Sequence, residues 1–137
     1  SQKGEINMSF VGGTYDRPKV RMPGGAGSAT LTPVTKRTVI WRTKHDRKSL
    51  VEKVQYVTTK ANPAKEFKVV TNLCIFKLKD GKLELDSIFP YTTIDEVKEN
   101  TGWEITNTGV PVYPAPTEEE LAALEKVDPK GIRYIEF

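Results

Sequence analysis

Two apolar stretches meet at the dipeptide Asp80-Gly81, and this pattern limits the possible folds more than any other in the sequence. Residues 67–78 are mostly apolar, and Leu83, Leu85 and Ile88 follow the dipeptide. An Asp-Gly pair between such stretches is typical of a β-hairpin, because the turn needs residues that tolerate positive φ. The pattern therefore predicts an antiparallel pair of strands in the second half of the chain.

Shorter segments also have the composition of strands. Residues 6–11 alternate loosely between apolar and polar types and lead into Gly12-Gly13, which predicts a short strand and a turn. Residues 38–41 and residues 51–59 are rich in β-branched and aromatic side chains, with the charged connector 44–48 between them. We expect two further strands in these segments.

Two helices are predicted late in the chain from their capping residues. Thr93 is followed by Glu96 in a capping box, and Gly102 is placed to end that helix. Residues 117–120 repeat the capping pattern before a second apolar stretch, and Pro129 follows its expected end. These signals predict two helices that both lie after the last strand.

The order of these elements indicates an α/β fold with a mixed or parallel sheet and flanking helices. We expect a single domain over residues 1–137, since nothing in the sequence calls for a second core. Residues 110–116 contain three prolines, which disfavour both helix and sheet. Residues 110–137 are therefore predicted to form a surface strap, a terminal helix and a tail.

Composition narrows the class of protein. The net charge of +3 comes from 21 basic and 18 acidic side chains that are mixed along the chain, which argues against a nucleic-acid partner. No apolar stretch is long enough for a membrane span. The one cysteine, Cys74, lies in an apolar stretch and is predicted to be a small buried side chain. A cytoplasmic location fits these features best.

A segment rich in glycine and proline, residues 15–27, is the best candidate for a functional loop. Glycines permit close approach of the backbone, so the N–H groups of Gly25, Ala26 and Gly27 could converge on a developing negative charge. Residues 28–31 could begin a short helix just after them. A tight turn without function is the alternative interpretation.

Other polar and aromatic residues have competing interpretations. Arg17, Lys19 and Arg21 alternate, so on a strand they would share one face and could meet phosphates. A solvated face or a subunit contact is the alternative interpretation. His45 stands in the charged connector and is predicted to be a surface histidine. Trp41 and Trp103 are predicted to be core or interface residues, since neither belongs to a repeated pattern of aromatic and basic side chains.

Seven short segments, spread in order over nearly the whole chain, carry a resemblance to a known family. They are residues 4–7 (GEIN), 15–24 (YDRPKVRMPG), 45–48 (HDRK), 51–58 (VEKVQYVT), 69–76 (VVTNLCIF), 96–102 (EVKENTG) and 128–129 (DP). In this order they resemble the glutaconate-type branch of the family I coenzyme A transferases, in the carboxy-terminal half of the B (beta) subunit.

This resemblance implies a doubly wound α/β fold and a reaction that moves coenzyme A from an acyl-CoA to a carboxylic acid. In the family a glutamate attacks the thioester and becomes a glutamyl-CoA thioester. That glutamate lies upstream of the first matching segment, so its position is absent from this chain. The expected partners are an A subunit and the amino-terminal part of the B subunit, in a hetero-oligomer.

The resemblance also implies roles for individual residues, with acyl-CoA as substrate, no permanently bound cofactor and no metal site. Backbone contacts to the oxyanion and thioester are expected from Gly25, Ala26 and Gly27. Contacts to coenzyme A are expected from Asn7, Arg17, Lys19, Arg21, Gly24 and Ser28.

One departure from the family pattern leaves other functions open. Ala26 stands where the family has a glycine, and its Cβ could block a positive φ or crowd the substrate. Hydrolysis of a CoA ester or of a CoA-linked ring on the same scaffold is one alternative. A noncatalytic module that binds CoA or a partner is another, because the nucleophile is absent.

Overall fold

The computed structural model describes residues 1–135 and contains a mixed arrangement of strands and helices, which confirms the predicted α/β fold. Among these residues no helix is long and apolar enough to cross a membrane. The strands are β1 (Glu5–Ile6), β2 (Phe10–Gly13), β3 (Pro18–Arg21), β4 (Arg37–Trp41), β5 (Thr59–Lys60), β6 (Glu66–Val70), β7 (Cys74–Lys79) and β8 (Lys82–Ile88). The helices are α1 (Gly25–Leu31), α2 (Ile94–Asn100) and α3 (Glu118–Val127), followed by a 3₁₀ turn at Ile132–Tyr134.

The main sheet has four strands in the order β4-β6-β7-β8. Strands β4 and β6 are parallel, whereas the other two pairs are antiparallel. Two small antiparallel sheets, β1 with β5 and β2 with β3, stand beside it. The predicted hairpin is confirmed, since Asp80 (φ 50°) and Gly81 (φ 77°) form the turn between β7 and β8.

The core lies on one face of the main sheet. Its strands alternate between buried and more exposed side chains, as a sheet covered on one face should. Val97 of α2 and Trp103 pack against this face. Cys74 is fully buried, as predicted, and burial raises the pKa of its thiol to about 12.

Three expectations for the first half of the chain were wrong. Residues 51–59 do not form a strand: Val51 makes one isolated bridge, and regular pairing begins at Thr59. The apolar and polar residues alternate there because one side of an irregular surface segment is partly buried. Such burial does not require a neighbouring strand. Gly12 and Gly13 lie within β2 rather than in a turn. The glycine- and proline-rich segment contains β3, and Pro18 is its first residue, where a missing N–H is tolerated.

The helix caps are where the sequence predicts them. The Thr93 hydroxyl accepts a hydrogen bond from the Glu96 N–H (3.2 Å), and Thr117 forms a complete capping box with Glu120. Gly102 acts differently from the expectation, because α2 is followed by Thr101 in an extended conformation. A Cβ at Gly102 would lie 2.3 Å from the Leu50 carbonyl oxygen, so close backbone approach requires this glycine.

Residues 110–113 run beside the end of β8. Val112 forms a parallel bridge with Ile88, whose carbonyl accepts from the Tyr113 N–H at 2.7 Å. Helix α3 follows and has no buried residue. Leu121 and Leu124 therefore remain largely exposed in this chain.

His45 is buried, with 4% of its surface exposed, so the prediction of a surface histidine was wrong. Its ring nitrogens lie 2.9 Å from the hydroxyls of Thr71 and Thr101. The Thr101 hydroxyl donates to the Val97 carbonyl (2.6 Å), so it must accept from Nε2–H of His45. The Thr71 hydroxyl lies closer to Nδ1 (2.9 Å) than to the Cys74 carbonyl (3.2 Å), so it donates to Nδ1. Because burial lowers the pKa of His45, the ring is neutral and is held in one tautomer.

The two tryptophans differ in environment. Trp103 is buried in the core beside Phe76, with ring centroids 5.5 Å apart. Trp41, on β4, is 66% exposed and is not a core residue of this chain. Alternation along the strand explains the difference: Ile40 packs against the core, so Trp41, the next residue of β4, lies on the opposite face of the sheet.

The His45 network predicts a pH dependence of stability. Burial lowers the pKa of His45 from its ordinary 6.5 to about 4, against a smaller opposing effect of Asp46. Between these pH values the unfolded chain binds more protons at this site, so the free energy of unfolding falls as the pH is lowered through the window. The loss has an upper bound of about 3 kcal/mol.

Urea unfolding of the wild-type chain and the His45→Gln variant between pH 7 and pH 4 checks this expectation. The variant should be less stable at pH 7 by about 1–3 kcal/mol, because buried hydroxyls lose their partner. It should also lose less stability on acidification than the wild type. Two parallel pH profiles would contradict the assignment of the effect to His45.

Candidate functional site

The glycine segment forms the start of helix α1. Gly24 precedes the helix in the left-handed conformation (φ 91°), and no side chain caps the helix start. Gly25, Ala26 and Gly27 form its first turn, where N–H groups have no acceptor within the helix. The helix thus begins three residues earlier than Ser28, where the sequence suggested its start.

Ala26 adopts the helical conformation, so the expectation that its Cβ could block a positive φ was wrong. Among the described residues, Asp80 is the one non-glycine residue with positive φ. An alanine in the first turn of a helix is unstrained and points its side chain outward. Ala26 is exposed.

A pair of hydroxyl groups lies beneath this turn. Ser9 Oγ and Thr58 Oγ1 are 2.6 Å apart, and Thr58 Oγ1 also accepts from the Met8 N–H at 2.9 Å. A Cβ on Gly25 would lie 3.1 Å from Cγ2 of Thr58 and 3.5 Å from Oγ of Ser9. Gly25 is therefore packed on its inner side. By contrast, a Cβ on Gly24 or Gly27 would meet nothing within 4 Å.

Asn7 is engaged entirely in a local turn. Its Nδ2 donates to the Phe10 carbonyl at 2.7 Å, and its Oδ1 accepts from the N–H groups of Ser9 (3.1 Å) and Phe10 (3.4 Å). An asparagine that bonds the backbone two and three residues ahead fixes the direction of the chain. In this structure Asn7 orients Ser9 and the start of β2.

The β2–β3 hairpin leads directly into the glycine turn. Gln55 holds the hairpin from the side: its Oε1 accepts from Gly12 N–H (3.0 Å) and its Nε2 donates to the Gly13 carbonyl (2.8 Å). The Met22 N–H donates to the Ser9 carbonyl at 2.9 Å and extends the pairing toward the turn. The hairpin and the glycine turn therefore have fixed relative positions.

The predicted basic residues lie on the exposed side of this hairpin. Lys19 and Arg21 are on β3, and Arg17 immediately precedes it. The Arg21 guanidinium donates to the Tyr15 carbonyl (2.7 Å) and lies 5.4 Å from the centroid of the Tyr15 ring. The Tyr15 ring stacks on Tyr56, with centroids 5.4 Å apart. A cationic strand edge and an exposed aromatic ring therefore stand next to the uncapped turn.

Two other features of the surface do not coincide with these residues. Glu5, the acidic residue nearest to the loop in sequence, lies on β1, where Ser1 Oγ donates to it (3.1 Å) and the Lys60 ammonium is 3.7 Å away. A groove of about 900 Å³ lies between β8 and residues 101–107. Its lining mixes basic and acidic side chains and includes none of the predicted site residues.

The glycine turn and the basic residues lie close together because they are neighbours in the chain, and their roles stay a prediction. Sequence reasoning missed Ser9, Thr58 and Gln55, which support the turn and the hairpin. Thr58 and Ser9 are 49 residues apart, and no local pattern marks such a contact. Only the pairing of β1 with β5 reveals it.

Comparisons with known proteins agree with this arrangement. The model of the coenzyme A transferase family matches residues 1–100, a range that contains the hairpin, the glycine turn and His45. The chain is 32% identical over 141 residues to the B subunit of the 3-oxoadipate CoA-transferase of Pseudomonas knackmussii. That match covers 91% of this chain and 54% of the relative, so the chain spans about half the length of the curated protein it matches.

Solved structures share the fold. The decarboxylase AibA/AibB is 29% identical with a TM-score of 0.85, covering 96% of this chain and 54% of its own. Rhodococcus jostii RHA1 IpdAB is 26% identical with a TM-score of 0.86, covering 99% and 61%. Glutaconate coenzyme A-transferase from Acidaminococcus fermentans, at 22% identity and a TM-score of 0.78 over 91% and 53%, supports the fold alone.

The family match extends over most of the chain and includes every residue of the predicted site, and the fold agrees with that of solved structures. The chain belongs to the coenzyme A transferase family.

Proposed function

We propose that this chain is the carboxy-terminal part of the B subunit of a CoA transferase, which moves coenzyme A from an acyl-CoA to a carboxylic acid. The observation that carries the proposal is the uncapped first turn of α1, which lies within the region that matches the family. The nucleophilic glutamate comes from outside this chain.

The proposed chemistry proceeds by acyl transfers. A glutamate oxygen attacks the thioester carbonyl, the C–S bond breaks, and an acyl-glutamyl anhydride and a CoA thiolate form. The thiolate attacks the glutamyl carbonyl, which releases the acyl group as a carboxylate and leaves a glutamyl-CoA thioester. The carboxylate of the acceptor acid then attacks the glutamyl-CoA thioester, and the same two steps in reverse give a new acyl-CoA and the free glutamate. Each addition places negative charge on a former carbonyl oxygen.

In this proposal the N–H groups of Gly25, Ala26 and Gly27 stabilise that oxygen. Donors that are already in place are worth more than solvent donors, because they need no reorganisation during the reaction. The open space around Gly24 and Gly27 supports this role, since a ligand can approach the backbone there. Gly25 is packed on the opposite side, against Thr58, which holds the turn in position.

The basic residues of the hairpin are proposed to meet the phosphates of coenzyme A. Arg17, Lys19 and Arg21 are exposed and follow one another along an edge that ends near the turn. Ser28 and Gly24 flank the amides and are proposed to contact the thioester portion. Asn7 contributes by orienting Ser9, because both ends of its side chain are already bonded.

The remaining proposals concern the assembly. The partners are an A subunit and the amino-terminal part of the B subunit, in a cytoplasmic hetero-oligomer. AibA/AibB and IpdAB are each named as two-component proteins, which supports a partner subunit. Coenzyme A thioester is a substrate here, and we propose no permanently bound cofactor.

Transfer activity is tested on the assembly purified from the cells that make it. Acetyl-CoA and other acyl-CoA thioesters are incubated with and without 3-oxoadipate, the acid named in the curated relative. We expect new CoA thioester only when acid is present, and reduction by borohydride of a glutamyl thioester on a segment outside this chain.

Each other outcome contradicts the proposal in its own way. Free thiol without acceptor acid would indicate a hydrolase on the same scaffold. Release of carbon dioxide would indicate a decarboxylase, as AibA/AibB is named. Binding of CoA without any product would indicate a noncatalytic module.

The Gly27→Ala variant tests the proposed role of the glycine turn without destabilising the fold. A Cβ there meets no protein atom within 4 Å, and alanine is favoured over glycine in a helix by about 1 kcal/mol. The variant should unfold at the same or a higher urea concentration than the wild type. Its transfer rate should fall at least tenfold, because the new methyl group occupies the approach to the amides.

The matched control is Gly109→Ala, whose Cβ also meets nothing within 4 Å but lies far along the chain from the turn. It should keep full transfer activity. A Gly27→Ala assembly that is as active as the wild type would show that no substrate approaches this turn.

A further inference from the structure

The cations of β3 lie on one face of the β2–β3 hairpin. Phe10 is the register partner of Arg21, and antiparallel partners direct their side chains to the same face. Lys19 shares that face with Arg21, because side chains alternate along a strand. The opposite face carries Val11 and Val20, which are partners and are both exposed. We call the side of Lys19 and Arg21 the cationic face of the hairpin.

Gly12 makes room for the Lys19 side chain on this face. A Cβ on Gly12 would lie 3.0 Å from Cδ of Lys19 and 3.3 Å from its Cγ, so the aliphatic stem of the lysine crosses over the glycine. The φ of Gly12 is 67°, which also favours a residue without a side chain. A lysine stem that is already packed has less conformational freedom to lose when its ammonium binds an anion. The hairpin therefore presents Lys19 in a partly fixed position.

Tyr15 provides an aromatic surface beside these cations. Its ring stacks on Tyr56 with centroids 5.4 Å apart and meets Phe10 edge to face at 6.2 Å. Tyr56 and Phe10 also contact each other, with centroids 5.4 Å apart, so the three rings support one another. Tyr15 nevertheless keeps 54% of its surface exposed. An aromatic ring that is held in place and exposed can stack on a flat ligand.

Arg21 joins this ring to the cationic face. Its guanidinium lies 5.4 Å from the centroid of the Tyr15 ring and donates to the Tyr15 carbonyl at 2.7 Å. An arginine has five N–H donors, so this bond leaves others for a ligand. Arg133 also lies over a tyrosine ring, but its charge is balanced by Asp128 and Glu125. The partner of Arg21 is a neutral carbonyl, so its charge remains available to an anion.

We propose that Tyr15, Lys19 and Arg21 form a subsite for the adenosine end of coenzyme A. The adenine stacks on the Tyr15 ring and the Arg21 guanidinium, because bases stack both on aromatic rings and on guanidinium planes. The phosphates on the adjoining ribose meet the Lys19 ammonium and the remaining N–H groups of Arg21. This inference rests on the proposed function and deepens it, since it names the part of the substrate that lies on the hairpin.

Calorimetric titration of the assembly, purified from the cells that make it, tests the subsite with two fragments of the substrate. The probes are adenosine 3′,5′-bisphosphate and 4′-phosphopantetheine. The variant Tyr15→Leu keeps an apolar contact with Tyr56 and loses the aromatic face. It should bind the bisphosphate at least about fivefold more weakly, because base stacking is lost. Its affinity for 4′-phosphopantetheine should equal that of the wild type.

Three further variants serve as controls. Tyr15→Trp keeps a stacking surface, so it should bind the bisphosphate at least as tightly as the wild type. Lys19→Gln should weaken bisphosphate binding and reduce its dependence on salt, because a phosphate contact is lost. The matched control is Tyr91→Leu, since Tyr91 is 73% exposed and stacks on Phe89 with centroids 5.8 Å apart, away from the cationic face. It should leave both affinities unchanged.

Several results would overturn the subsite. The first is a wild-type assembly that does not bind the bisphosphate measurably. Equal affinity for the bisphosphate in the wild type and Tyr15→Leu would show that no base stacks on this ring. Loss of 4′-phosphopantetheine binding in Tyr15→Leu would place the other end of the substrate on the hairpin, or show that the ring only supports the fold.

These results are separable from those of the transfer assay. Binding of the bisphosphate requires no thioester chemistry, so an assembly that transfers no CoA can still show a loss of affinity in Tyr15→Leu. That outcome would support the subsite and contradict the proposed reaction. Conversely, an active assembly whose affinity for the bisphosphate does not depend on Tyr15 would refute the subsite and leave the proposed reaction standing.

Discussion

The pairing of β1 with β5 is the constraint on which the proposed site depends. It is a contact of two residues with two, Glu5–Ile6 against Thr59–Lys60, yet it brings Thr58 beside Ser9. Gly25 packs on this pair of hydroxyl residues: a Cβ added to it would lie 3.1 Å from Cγ2 of Thr58. The glycine turn is therefore positioned by contacts far apart in the chain, while its outer side stays open to a ligand.

His45 has a comparable organising role in the core. Its two ring nitrogens join the turn between β6 and β7, through Thr71, to the end of α2, through Thr101. Thr101 donates onward to the Val97 carbonyl, and Thr71 accepts from the N–H groups of Leu73 and Cys74, so each polar atom of the network is satisfied without a charge. A neutral histidine fits this environment better than a cation, because burial without a counter-ion penalises the charged form.

The sequence predicted the elements whose signals are local, and it failed where contacts between distant residues decide. Asp80-Gly81 and the capping residue Thr93 act within a few residues, so the hairpin and the helix start followed from them. His45 was misassigned because its charged neighbours suggested a surface, whereas its partners lie 26 and 56 residues away. In the candidate site, the glycine turn could be recognised from consecutive residues, whereas the packing of Gly25 on Thr58 could be recognised only from the fold.

The features that this chain leaves uncovered are consecutive. The uncapped amides at residues 25–27, helix α1 without a buried residue, and the open edge of β4 all fall between residues 24 and 41. Helix α1 contacts β5 and buries none of its own residues, whereas β4 is paired along its whole length with β6, so α1 is the less restrained of the two. Residues 32–36 join the end of α1 to β4, and Gly25 at the start of the helix packs on Thr58. The helix is therefore held at both ends, while the N–H groups of its first turn stay open to a ligand.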